Sequence, residues 1–259
     1  MSLDSFWILN TFNPIFFVLF ALFIALLVAA SLLLRKRSEK AKKTVLIAAC
    51  LVTFVGFFVY KYFLSIDTAY DDIVKDTRGG FSWWAELPMQ LCIINMILIP
   101  IGVLTNSRPI KSFCFFLAPL GALMALIMPS KGFSGYSIFL PRMLGYYGTH
   151  FMIVIEGIAL ATLGLYRPKF KDFPLTILTF VILLLVIFGV NMLLIKTGLY
   201  DHANYFFTME PEGISLLETF WGWISVPVLY LLPGAVILLA YMSLVTAPFA
   251  IADKMKKNA

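Results

Sequence analysis

Residues 14–34 read PIFFVLFALFIALLVAASLLL, a run without a single charged side chain. About 20 consecutive apolar residues are enough to span the hydrocarbon core of a bilayer as an α-helix. The basic stretch RKRSEKAKK follows at 35–43, and a second apolar run occupies 44–64. This stretch therefore predicts two membrane helices joined by a short cationic loop.

The whole composition agrees with this local pattern. Of the 259 residues, 61% are hydrophobic and 13% are charged, whereas soluble domains contain roughly 45–50% apolar and 25% charged residues. An ordinary soluble enzyme, a disordered chain and a nucleic-acid-binding module are thereby disfavoured. The net charge of +6 reflects mainly the basic loop, which holds six of the 20 Lys and Arg. No nucleic-acid partner is expected.

Seven apolar segments near the spanning length follow one another, and none alternates with period two as a membrane β-barrel strand does. We therefore expect an all-α fold, a polytopic bundle of seven transmembrane helices, with residues 1–259 forming a single integral membrane domain. The predicted helices are 14–34, 44–64, 83–104, 112–128, 143–166, 173–194 and 220–247.

The loop charges predict the orientation of this bundle. Fourteen of the 20 Lys and Arg fall in the first, third and fifth loops and at the C-terminus. Cytoplasmic loops carry the excess of Lys and Arg in membrane proteins. The N-terminus is therefore expected outside and the C-terminus in the cytoplasm of a multi-pass cell-membrane protein.

Polar groups inside the membrane are costly and often functional. Cys92 lies eight residues after Trp84 on the third predicted helix, and His150 lies eight residues after Arg142 on the fifth. Both helices descend from the outer side, so the thiol and the imidazole lie at the same depth, ~12 Å along each helix. We expect the sulfur and a ring nitrogen to lie within ~5 Å of each other and to open to the outer leaflet through a gap between helices.

Such a pair suits nucleophilic catalysis. A thiol attacks well only after losing its proton, and a hydrogen-bonded imidazole can take that proton and return it. Asn95, one turn beyond Cys92, could orient the ring or stabilise an oxyanion. Tyr146 and Tyr147 should share the helix face of His150. The spacing of the cysteines predicts no metal site, and the chemistry requires no cofactor.

Structural interpretations of the same residues stay open at this stage. A membrane cysteine often only packs, and a buried histidine needs only a hydrogen-bond partner, such as Glu156 or Asn191. Whether Glu86, Gln90 or Glu156 takes part in any chemistry is also open.

Two motifs resemble a known family. Residues 87–92, LPMQLC, resemble the LP-x-x-L-C opening of the third helix in the YwaF-like bacterial integral membrane family. Asn204-Tyr205, followed by Pro211 and by SLL at 215–217, resembles the segment before that family's last helix. His150 falls where the family has its fifth-helix histidine.

The resemblance implies a function. Animal relatives of this family are described as transmembrane acyltransferases of ether phospholipids that use a membrane Cys and His. Carried over, this implies that Cys92 is the nucleophile and His150 the base, with Asn204 assisting and Tyr205 lining the site. The expected activity moves an acyl chain between lipids in the outer leaflet through a thioester, in a bacterial plasma membrane. Membrane lipids are the expected partners, and no protein partner is identified.

Two other classes of function fit the same sequence. A non-enzymatic membrane protein that binds or transports a small molecule or lipid would use Cys92 and His150 as ligand contacts or packing groups. A sensor or scaffold would need a protein partner. Water could also replace the acceptor lipid, which would make the enzyme a hydrolase.

Overall fold

A computed structural model describes residues 6–258. Within that part of the chain, the regular structure comprises nine α-helices, three 3₁₀ turns and one pair of two-residue strands. The strands are β1 (Ile8–Leu9) and β2 (Tyr136–Ser137), and the helices are α1 (Pro14–Leu34), α2 (Glu39–Ser65), α3 (Thr68–Arg78), α4 (Asn95–Leu104), α5 (Arg108–Ile127), α6 (Pro141–Thr162), α7 (Phe173–Lys196), α8 (Ser215–Trp223) and α9 (Gly234–Asn258).

Among the described residues, six helical stretches are long and apolar enough to cross a membrane. They are Pro14–Leu34, Glu39–Ser65, Arg108–Ile127, Pro141–Thr162, Phe170–Lys196 and Leu229–Lys256. The prediction of a helical multi-pass membrane protein is therefore confirmed. The count of seven crossings and the orientation of the termini stay predictions. We call the end of the bundle that carries α3 the predicted outer end.

The third predicted helix, 83–104, is wrong in its first half. Only α4 is regular helix, and residues 83–94, here called the cysteine segment, form a series of turns. Pro88 disfavours helix at the residue before it and has no N–H to donate. The segment nevertheless leads into α4, which packs against α2 and α5, so its polar groups must find partners outside a helix.

The last predicted helix, 220–247, is also interrupted. It divides into α8, a 3₁₀ turn at Leu229–Leu231 and α9. Pro227 and Pro233 lack backbone N–H donors, and Val228 between them has φ +64°, so a continuous helix cannot form there.

The strand pair closes the predicted outer end. Ile8 pairs with Ser137 and Leu9 with Tyr136 in antiparallel register. The residues before α1 are thereby joined to the connection between α5 and α6.

Helix α6 lies at the centre of the bundle and contacts α1, α2, α4 and α5. Two glycines permit the close approach of its neighbours. A Cβ at Gly145 would lie 2.2 Å from the Tyr60 ring of α2, and a Cβ at Gly157 would lie 2.7 Å from Pro119 of α5. The two interfaces hold α6 rigidly, and with it His150.

Candidate active site

The cysteine segment and α6 bring the predicted pair together. Cys92 Sγ lies 3.5 Å from His150 Nε2, within the expected distance, so the predicted proximity is confirmed. Cys92 is 9% exposed and His150 5%, so the pair is enclosed by its neighbours, and the predicted opening to the leaflet is wrong. A thiol and an imidazole from two separate elements therefore meet in a dry environment, where each is the other's polar neighbour.

The second ring nitrogen defines the tautomer. His150 Nδ1 lies 2.7 Å from the backbone carbonyl oxygen of Tyr146. A carbonyl oxygen only accepts hydrogen bonds, so Nδ1 carries the proton and donates it there. The lone pair is then on Nε2, which faces the thiol. This arrangement allows the sulfur to pass its proton directly to the ring.

Tyr146 contacts the imidazole ring, and both Tyr146 and Tyr147 contact Phe133. Tyr146 lies one turn before His150, and the two rings are in contact with centroids 4.4 Å apart. The Tyr146 ring also stacks on Phe133 at 4.3 Å, and the Tyr147 hydroxyl donates to the Phe133 carbonyl at 3.0 Å. Both predicted tyrosines thus fix the α5–α6 connection over the pair.

The cysteine segment is fastened to a loop from the other half of the chain. The Tyr205 hydroxyl donates to the Trp84 carbonyl, and Gln90 Oε1 accepts from the Phe206 backbone N–H at 3.1 Å. Tyr205 is buried, at 2% exposed. It therefore lies beside the segment and holds it in place, which explains how an irregular stretch keeps Cys92 fixed.

Asn95 has a local hydrogen bond. Its Nδ2 donates to the Leu91 carbonyl at 2.7 Å, and its buried Oδ1 has no partner among the described residues. Both nitrogens of His150 are already engaged, one by Cys92 and one by the Tyr146 carbonyl. The carbonyl therefore orients the imidazole, rather than Asn95 as the sequence suggested.

The Asn204 side chain serves its own loop. It donates to the Glu210 carbonyl at 2.8 Å and to Glu212 Oε1 at 3.0 Å, and it accepts from the Met209 N–H at 2.9 Å. The neighbouring Tyr205 N–H donates to Asn191 Oδ1 at 3.1 Å. The hydrogen bonds of Asn204 therefore stabilise the loop that carries Tyr205 and Phe206, and this loop in turn holds the cysteine segment.

Lys61 is not among the predicted site residues, although its place in an apolar run marks it as a candidate. Lys61 lies inside the predicted helix 44–64, and every ionisable residue in such a run is a candidate functional group. In the structure it is 7% exposed and forms an ion pair with Glu86 of the cysteine segment.

Other polar residues of the membrane region lie apart from the pair. Glu156 Oε1 accepts a 2.6 Å hydrogen bond from Thr53, so it is not the partner of His150. Asn191 bonds with Tyr205 and Thr208. Within residues 6–258, no group of three or more His, Cys, Asp or Glu is arranged to hold a metal ion.

Backbone donors complete the surroundings of the sulfur. The N–H groups of Cys92 and Ile93 adjoin the nucleophile in the chain, and in the described part of the chain neither donates to a backbone carbonyl oxygen. Free N–H groups beside a nucleophile are suited to a negatively charged oxygen that forms next to it. The arrangement can therefore deprotonate a thiol and stabilise the product of its attack on a carbonyl.

Comparison with known protein families identifies the family of the chain. The model of the TMEM164 family matches residues 8–247, from β1 into α9, and so covers Cys92 and His150. No curated protein and no solved structure matches the chain significantly. The narrower relationship to the YwaF-like bacterial group stays a prediction.

Proposed function

The chain belongs to the TMEM164 family of membrane proteins, and we propose that within this family it is a lipid acyltransferase that works through a Cys92 thioester. The observation that carries the proposal is the contact between Cys92 Sγ and His150 Nε2 at 3.5 Å, with Nδ1 occupied by the Tyr146 carbonyl. A packing cysteine has no need of an imidazole whose free lone pair faces it.

The first half-reaction forms the thioester. His150 Nε2 takes the thiol proton, and the thiolate attacks the ester carbonyl of a donor lipid. The N–H groups of Cys92 and Ile93 stabilise the tetrahedral oxyanion. The carbon–oxygen ester bond then breaks, the leaving lipid alkoxide takes the proton from His150, and the acyl chain stays on sulfur.

The second half-reaction reverses the roles. A hydroxyl of the acceptor lipid gives its proton to His150 Nε2 and attacks the thioester carbonyl. The carbon–sulfur bond breaks, and the thiolate recovers the proton from the ring. Ester exchange consumes no energy source, so the reaction needs no cofactor. If water were the acceptor, the same machinery would act as a hydrolase.

The proposed substrates are membrane lipids, because the pair lies among apolar helices. His150 lies in the half of α6 nearer the predicted outer end, which supports the outer leaflet as the proposed site of reaction, and the proposed location is a bacterial plasma membrane. Cys92 and His150 are both buried, so a lipid reaches them only after neighbouring elements part.

The test is acylation of Cys92. Purified protein incubated with lipid should carry a hydroxylamine-labile acyl adduct on Cys92, detected by mass spectrometry. Cys92→Ala should abolish both the adduct and acyl exchange between lipids. Its stability should change by only ~1 kcal/mol, because a small group is removed.

Matched controls are present in the chain. Cys50 and Cys114 are also free and buried, but neither contacts a histidine among the described residues. Cys50→Ala and Cys114→Ala should exchange lipids at close to the parent rate. Equal activity of Cys92→Ala and Cys50→Ala would overturn the proposal and favour a binding or transport protein.

A further inference from the structure

Gly121 of α5 lies directly against Cys92. A Cβ built at Gly121 would lie 3.5 Å from the Cys92 backbone nitrogen and 3.6 Å from both the Cα and the Cβ of Cys92. These separations are ordinary van der Waals contacts, so a methyl group fits at this position without displacing a neighbour. The structure therefore has room for a methyl-sized group beside the nucleophile, where α5 presents only its backbone.

Neither packing nor backbone conformation explains this glycine. A Cβ at Gly102, Gly145 or Gly157 would overlap a neighbouring side chain at less than 3.0 Å, whereas a Cβ at Gly121 would overlap nothing. Gly121 lies inside the regular helix α5 and has no positive φ. Glycine inside a helix costs ~1 kcal/mol relative to alanine. The absence of a side chain at Gly121 is therefore best explained by the space that it leaves beside Cys92.

The atom nearest to this space carries a hydrogen-bond donor. Within the part of the chain that the structure describes, the Cys92 N–H does not donate to a backbone carbonyl oxygen, although Cys92 is buried. Buried N–H groups normally have an acceptor, and leaving one without a partner costs about 1–3 kcal/mol. The space beside Gly121 thus adjoins an N–H group that can receive an acceptor atom from a bound molecule.

The same face of α5 also reaches the ring of His150. The carbonyl oxygen of Ala125, one turn after Gly121, accepts a 2.8 Å hydrogen bond from the Tyr146 hydroxyl, and the Tyr146 ring contacts the imidazole. Gly121 is half-buried and Met124 is 36% exposed. This part of α5 therefore extends from the lipid-exposed surface of the bundle to the reacting pair.

We propose that the space beside Gly121 is the subsite for the ester carbonyl of the donor lipid, with the Cys92 N–H donating to the carbonyl oxygen. The space adjoins a nucleophile and a free N–H group inside an apolar bundle, which suits an uncharged acceptor atom carried by a lipid. The identity of this occupant rests on the proposed acyl transfer. Gly121 is a positioning residue, because its lack of a side chain admits the carbonyl oxygen to the N–H group.

The test compares two reactions of the same sulfur in the full chain carrying Cys50→Ala and Cys114→Ala. The ester p-nitrophenyl butyrate acylates a thiol through a tetrahedral oxyanion and releases p-nitrophenolate, whereas iodoacetamide alkylates it by loss of iodide. In Gly121→Ala the methyl group occupies the place of the carbonyl oxygen. Acylation of Cys92 should therefore fall about a hundredfold or more, the usual effect of losing an oxyanion donor. Alkylation should stay close to the parent rate, because it forms no oxyanion.

Thermal unfolding separates this role from a structural one. The methyl group fits and alanine forms helix more readily than glycine, so Gly121→Ala should melt at or above the temperature of the parent. The control is Gly189→Ala on α7, where an added Cβ meets nothing within 4 Å, and it should leave both reactions unchanged. An unchanged acylation rate in Gly121→Ala, or an equal loss of acylation and alkylation, would overturn the proposal.

A second variant tests the contact itself. A Cβ at position 121 and the Cβ of Cys92 are 3.6 Å apart, within the range of about 3.5–4.5 Å that a disulfide requires. Gly121→Cys should therefore form a disulfide with Cys92 when oxygen, with copper phenanthroline as catalyst, oxidises the two thiols. Cys92 should then resist alkylation until the disulfide is reduced. Free thiols after oxidation would contradict the contact and, with it, the subsite.

Failure of the acyltransferase function gives a different pattern of results. If lipid leaves no adduct on Cys92, but the probe ester acylates it and Gly121→Ala suppresses that reaction, transfer between lipids is overturned and the carbonyl subsite stands. If lipid does acylate Cys92 and Gly121→Ala has no effect, the subsite is overturned and the function stands. Absence of probe acylation in the parent would overturn both.

Discussion

His150 has two nitrogens in different surroundings, and this asymmetry decides what the ring can do. The Tyr146 carbonyl accepts the Nδ1 proton at 2.7 Å, and the bond lies within one turn of the same helix. The backbone of α6 therefore keeps the Nε2 lone pair directed at Cys92 without help from another side chain. Many proteins use a carboxylate for this purpose, whereas here a neutral carbonyl performs it.

Loss of the ring should remove the proton acceptor and leave the thiol in place. We expect His150→Ala to lower acyl exchange by a factor of ~10²–10⁴, the usual contribution of a general base. The rate of adduct formation on Cys92 should fall in parallel. Both are measured in the lipid-exchange and mass-spectrometric assays.

The chain contains two histidines, so the second serves as the control. His202 lies exposed in the loop after α7, and its ring lies at an edge-to-face angle to Tyr200, with centroids 6.1 Å apart. His202→Ala should retain the parent activity. A comparable loss in both variants would show that His150 has no special role in the chemistry.

At the level of elements, the site depends on how closely α2 packs against α6. A Cβ at Gly145 would overlap the Tyr60 ring at 2.2 Å, whereas a Cβ at Gly148, one turn further along, would meet nothing within 4 Å. The two glycines are therefore a natural matched pair. They test whether the α2–α6 contact fixes the positions of His150 and Lys61.

Gly145→Ala should lower stability by about 1–3 kcal/mol or more, because the new methyl group forces the helices apart. Gly148→Ala should raise stability by up to about 1 kcal/mol, because alanine forms helix more readily than glycine. Thermal unfolding in detergent micelles measures both. Equal melting temperatures would contradict the tight contact between α2 and α6.

The elements also show what hydropathy can and cannot predict. The pattern placed α1 at its observed bounds and α2, α5, α6 and α7 within a few residues, because a long apolar run has no alternative to helix in lipid. Hydropathy wrongly predicted helix for the cysteine segment, because its polar groups bond to partners that are distant in the sequence. Gln90 and Phe206 are 116 residues apart in the chain, and no local pattern encodes such a contact.

The sequence also predicted only some of the site contacts. The predicted proximity of Cys92 and His150 is confirmed, but one premise of the depth argument is wrong. Residues 84–92 form turns and not helix, so a rise of 1.5 Å per residue does not give the depth of Cys92. The sequence did not predict the pairing of Lys61 with Glu86, because this pairing depends on the direction in which the lysine side chain points. Side-chain direction of this kind is decided by tertiary packing and is not visible in one sequence.

For the whole molecule, orientation decides which leaflet the pair can serve. The excess of Lys and Arg in the basic loop 35–43 predicts that this end is cytoplasmic. The pair lies toward the opposite end, below α3 and the strand pair. If the orientation were reversed, the same chemistry would act on lipids of the inner leaflet.

Cysteine labelling tests the orientation without reference to activity. The background is a chain in which all three native cysteines are replaced. Lys40→Cys places an exposed probe in the first turn of α2, and Asp72→Cys places one in α3, beyond the other end of α2. A membrane-impermeant maleimide added to intact cells should modify position 72 and spare position 40. Permeabilised cells should show both modified, which controls for accessibility. The reverse pattern in intact cells would invert the bundle, because a charged reagent cannot cross the hydrocarbon core, and the proposed reaction would then move to the inner leaflet.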